Sequence, residues 1–75
     1  MNEDVAARLE RFQSEFARRL TAAMVGRSMR SVAMEAGLTH PTLRRILHEH
    51  GLPDVETIVR LEIALDVRLW PELEE

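Results

Sequence analysis

Two adjacent guanidinium groups, Arg44 and Arg45, stand in a run that also carries His40, Thr42 and His48. Each guanidinium is a planar fork of donors that matches a phosphate or the O6 and N7 acceptors of guanine. A threonine hydroxyl can bond a phosphate, and its methyl can pack on that of thymine. A second basic cluster, Arg27, Ser28 and Arg30, lies upstream. This is the chemistry of recognition rather than of turnover. No nucleophile, base and orienting group occur together, so neither enzymatic activity nor a small-molecule substrate is expected. His48-Glu49-His50 is dense in metal-ligating atoms. On a helix, however, residues two apart point to different faces, and His40 and His48 fall about 12 Å apart along the axis. No His stands four residues from another around a Glu, so neither a metal nor a cofactor is expected.

The elements that must carry these groups follow from apolar spacing and from punctuation. Val5, Leu9, Phe12, Phe16, Leu20 and Met24 recur every three or four residues, which predicts an amphipathic helix from Glu3 to Val25. Asn2 can cap it and Gly26 can end it. Two short helices follow, over Met29 to Ala36 and over His40 to Glu49, separated by Gly37-Leu38-Thr39. Thr39 suits the cap, and Pro41 falls in the first turn, where its missing amide proton costs nothing. Gly51-Leu52-Pro53-Asp54 marks a turn, with Asp54 capping a fourth helix over Val55 to Leu65 whose inner face is Ile58, Leu61 and Leu65. Val67, Leu69 and Trp70 are expected to fold back on the core, Trp70 covering it, with a last turn from Pro71. The predicted fold is an all-helical bundle of about five helices. It makes a single domain over 75 residues, in which residues 1–11 extend the first helix.

The stretch from Ser31 to Leu47 has a mechanical logic. Two short helices cross closely at a large angle only if the residue beneath the crossing is small (Ala33), the turn admits a positive φ (Gly37) and apolar side chains fill the wedge (Leu38, Leu43, Ile46). Met24 and Met34 are read as core. Leu43, Ile46 and Leu47 turn inward, which leaves His40, Pro41, Arg44, Arg45 and His48 outward. This arrangement resembles the lambda-repressor-like, Cro/XRE-type helix-turn-helix family. The resemblance continues through Thr57-Ile58-Val59-Arg60-Leu61-Glu62-Ile63-Ala64-Leu65-Asp66-Val67 and covers roughly residues 16 to 70. It implies that the helix beginning near Thr39 enters the major groove of double-stranded DNA. His40, Thr42, Arg44 and Arg45 are then the base readers, and Arg27, Ser28, Arg30, Thr39 and His48 meet phosphate. Three positions depart from the family pattern. Met29 and Arg30 replace a common glutamine, Asp66 replaces a common glycine, and Pro41 stands where a base-reading polar residue is frequent.

The overall charge pulls the other way. The formal net charge is -3, whereas nucleic-acid binding normally rests on a positive field. The distribution resolves the conflict: residues 27–50 carry four arginines against two acids, and residues 51–75 carry two against seven. With no cysteine, no apolar run long enough for a bilayer and an acidic amino terminus, the chain reads as cytoplasmic. The expected function is a sequence-specific regulator, a repressor or Cro-like switch on palindromic operator DNA. A homodimer is expected, with Val5 and Leu9 on the first helix as one candidate surface. An antitoxin of a toxin-antitoxin pair, and a helix-turn-helix used only for protein interaction, are the alternatives.

Overall fold

The computed structural model describes residues 4–48 and 51–71. Among them are four helices and no strand: α1 (Val5–Ala23), α2 (Met29–Ala36), α3 (His40–His48) and α4 (Val55–Leu65). The bundle is thus all-α with four helices rather than about five. Pro71 is buried and outside any helix, and the residues after it lie outside the described chain. α1 is shorter at both ends than its apolar stripe predicts. Asp4 is the cap, its carboxylate accepting from the Ala6 amide at 3.1 Å. The expected cap Asn2, like Glu3, lies outside the described residues, as does Glu49 at the expected end of α3. α1 closes at Met24, whose amide donates back to Leu20 O and Thr21 O, and Gly26 (φ +85°) supplies the reversal that follows. Asp54 caps α4 as its position predicts, accepting from the Thr57 amide at 2.8 Å. Bonds from Thr57, from its hydroxyl first and its amide second, hold the Asp54 carboxyl below the usual carboxylate range.

α2 packs on α3 and α4, and α1 packs on α3. Phe16, Leu20, Val32, Leu43, Leu61 and Leu69 are completely enclosed, with Ala33, Ala36, Ile46, Ile58 and Leu65 completing the core. Each large aliphatic or aromatic member stabilises the fold by about 1.5–3 kcal/mol relative to exposure. The stripe of α1 enters this core only from Phe12 onward; Val5 and Leu9 remain exposed. Trp70 covers Phe12 edge-on, ring centroids 5.3 Å apart, and Leu69 is buried beneath it. Val67 departs from expectation and stays on the surface. Two polar clasps hold this tail. Glu62 Oε2 accepts from the amides of Leu69 (2.8 Å) and Trp70 (3.0 Å), and Arg19 Nη1 donates to Trp70 O at 3.2 Å. Arg19 is oriented by Glu15, which also accepts two bonds from Arg18. These bonds pull the Glu15 carboxyl down to about 2. No helix among the described residues is long and apolar enough to cross a membrane.

Two helices end in the left-handed region and differ in how they tolerate it. Gly37 takes φ +73°, and beyond it the Leu38 amide reaches Ala33 O at 2.8 Å. Asp66 takes φ 56° while Val67 N donates to Glu62 O at 3.3 Å, the same closing pattern built without glycine. Gly37→Val is expected to lower stability by at least about 1 kcal/mol, because a β-branched residue resists a positive φ. An unchanged melting temperature would show that the turn does not need this conformation. Asp66→Gly is expected to do the opposite. Relief of about 1–2 kcal/mol of left-handed strain exceeds the added chain entropy of glycine, for a net gain of about 0.5–1 kcal/mol in thermal or urea unfolding. A loss would show that the Asp66 side chain has a stabilising role of its own.

Candidate nucleic-acid interface

The outer face of α3 is presented by a joint with little freedom. Ala33, nearly fully buried, lets α3 cross close above α2, and Leu43 and Ile46 fill the wedge below. Thr39 starts α3 twice over: its carbonyl accepts from the Leu43 amide and its Oγ1 accepts from the Thr42 amide at 3.2 Å. The Thr39 hydroxyl then donates to Thr42 Oγ1 at 2.8 Å. The Thr42 hydroxyl keeps its own proton free to donate, whereas the Thr39 hydroxyl is committed to the cap. His40, Pro41, Arg44, Arg45 and His48 are all exposed, and Leu43, Ile46 and Leu47 face in, as the spacing predicts. Pro41, Arg45 and His48, at offsets of four and three, form the ridge opposite the buried side. His40 and Arg44 flank it.

Arg45 is steered by a neighbour. The Gly51 amide donates to Arg45 O at 2.9 Å, and the Arg45 stem lies across that glycine so closely that a β-carbon there would come within 2.9 Å of Arg45 Cγ. Glycine at 51 therefore lets the stem lie flat while the residue stays on the surface.

The amino end of α2 stands beside this ridge. Ser28 caps it, Oγ accepting from the Ser31 amide at 3.0 Å. The amides of Met29 and Arg30, in the first turn, have no partner within the helix and face the positive end of its dipole, an arrangement suited to an anion. Arg30 and His40 meet across an open cleft of about 400 Å³, lined also by Ala33, Met34 and Leu38. Sequence-predicted residues from the two helices are thus brought to one place. Arg27 is not among them: its Nη1 is 2.8 Å from Glu35 Oε1, an ion pair that occupies its charge. Met34 corrects the reading of it as core, being 72% exposed on the cleft rim. Its signal was legible, since it follows Arg30 by four residues on the face opposite Ala33 and Ala36.

Of the expected surface, Arg30 and His40 share the cleft, Arg44, Arg45 and His48 stand exposed on α3, Thr42 is half-buried, and Ser28 is exposed at the start of α2. Arg30, Arg44 and Arg45 make no ion pair among the described residues. Glu35 is the sole acid between residues 27 and 48, and it is paired. The acids of the carboxyl third lie on α4 and at its two caps, on Asp54, Glu56, Glu62 and Asp66 among the described residues. Charge is segregated by element.

Comparison with protein families finds a helix-turn-helix model of the Cro/XRE type matching residues 16–69. Comparisons with curated proteins and with solved structures return no match. The matched span runs from the buried Phe16 to the buried Leu69 and so takes in the α2-turn-α3 joint and nearly all of the core. The chain belongs to the Cro/XRE-type helix-turn-helix family, a family of DNA-binding transcription regulators.

Proposed function

We propose that the chain is a sequence-specific DNA-binding regulator, non-enzymatic, that acts as a repressor or Cro-like switch by occupying a palindromic operator as a homodimer. The observation that carries this reading is the acid-free outer face of α3 beside the capped start of α2 in a chain whose net charge is negative. A solvated surface has no need to sort its charges in this way. In this reading α3 lies in the major groove. Arg45, on the outer ridge, and Arg44, on its flank, offer forks to guanine, and Thr42 has a free proton to donate. Met34 and the Thr42 methyl offer apolar contact to thymine. The free amides of α2 and Arg30 hold phosphate and fix the register without reading sequence. The antitoxin reading rests on one observation, the uncovered Val5 and Leu9 at the start of α1, which offer a toxin an apolar strip.

Positioning and reading are separable by measurement. Affinities for a selected duplex and a scrambled one, taken across a salt series, are expected to fall differently among the variants. Arg45→Ala should cost about 1–3 kcal/mol on the selected duplex alone, with Arg44→Ala acting in the same sense. Arg30→Ala should weaken both duplexes alike and lower the salt slope by about 1. If all three variants bind as the parent does, the basic face is solvated surface and the fold serves protein interaction instead. The selected site should also have dyad symmetry, with half-sites about one helical turn apart. Selection from random duplexes that returns an asymmetric site would count against a two-fold operator complex.

A further inference from the structure

The glycines of the chain are glycine for different reasons. Gly26 and Gly37 take a positive φ, which a side chain would strain, and a β-carbon at Gly26 would meet nothing within 4 Å. Gly51 lies outside the left-handed region, so its backbone conformation does not demand glycine. What opposes a side chain there is Arg45. The three atoms nearest a β-carbon at Gly51 would be Arg45 Cγ at 2.9 Å, Nε at 3.1 Å and Cδ at 3.3 Å. A contact this short at Cγ is not relieved by bending the far end of the side chain, so the whole stem must leave for another rotamer. The bond that follows α3 holds the two residues together, since the Gly51 amide donates to the carbonyl of Arg45 itself at 2.9 Å.

We propose that Gly51 is a positioning residue for sequence recognition: it gives the Arg45 stem a flat seat that fixes where the guanidinium fork leaves the surface of α3. The proposal deepens the DNA reading above and rests on it. A long unbranched side chain in water samples many rotamers, and ordering it on contact costs affinity. Laid across Gly51, the Arg45 methylenes have one side covered by backbone before any partner arrives, while the residue as a whole stays exposed. A bidentate contact to guanine needs both donors on their acceptors at once, so it depends on aim. Attraction to phosphate depends on charge far more than on aim. Displacing the stem therefore removes discrimination between bases and leaves nonspecific attraction in place, because the charge is unchanged.

The test is a double-mutant cycle in the full chain, comprising the parent, Gly51→Ala, Arg45→Ala and the two combined. Each protein is titrated across a salt series with a duplex selected from a random pool and with a scrambled duplex, and each is melted. Gly51→Ala is expected to weaken the selected duplex about two- to tenfold and to leave the scrambled duplex and the salt slope as in the parent. In the Arg45→Ala background it is expected to change binding no further. Its melting temperature should not fall there either, since no stem remains for the β-carbon to meet. A lower melting temperature in both backgrounds would mean that the turn itself needs glycine, and it would overturn the proposal. Equal losses on the two duplexes, or additive losses in the double variant, would overturn it as well. If Arg45→Ala loses selectivity and Gly51→Ala keeps it, the positioning role fails and the DNA reading stands. If Arg45→Ala binds both duplexes as the parent does, the reading of Arg45 fails and takes the proposal with it.

Discussion

The close crossing of α2 and α3 depends on one backbone reversal. With Gly37 left-handed, the Leu38 amide bonds Ala33 O, α2 stops, and Thr39 is delivered where it can begin α3 with both its carbonyl and its hydroxyl. Everything on the outer face inherits that geometry. The ridge of Pro41, Arg45 and His48 is aimed by the wedge of Leu43 and Ile46, and the Arg30–His40 cleft exists because the two helix starts lie side by side. Arg60 reaches the same joint from α4, donating to Ala36 O at 3.4 Å, so the turn is braced from outside as well as capped from within.

The electrostatics follow the elements. Buried polar side-chain atoms without a partner are absent among the described residues, and ion pairs lie on the surface, where each contributes little to stability. Their larger effect is on which charges remain available. Glu35 takes up Arg27, and Glu15 takes up Arg18 and Arg19, while the arginines of α3 keep their forks for a partner. An acidic chain can in this way present a locally basic face.

Much of this was legible in the residues. The inner faces of α2, α3 and α4, the caps Thr39 and Asp54 and the left-handed Gly37 follow from apolar period and from residues with one strong local preference. What was not legible depends on partners distant in the chain. The Arg27–Glu35 pair needed α2 to be folded before its geometry existed. The Glu62 contacts to Leu69 and Trp70 needed the tail to reverse first. Met34 and Val67 were misread because an apolar type is weak evidence of burial when a small domain has more apolar side chains than its core can enclose.

The clasp between the first helix and the tail has a spectroscopic consequence. Trp70 is the single tryptophan of the chain, and it sits edge-on to Phe12, half in water, with its carbonyl held by Arg19 and its amide by Glu62. Indole emission is therefore a local gauge of whether the two ends of the chain are joined. Because the ring rests on Phe12 of α1, quenching or a wavelength shift on adding a binding partner would register either release of this clasp or contact with the exposed half of the ring.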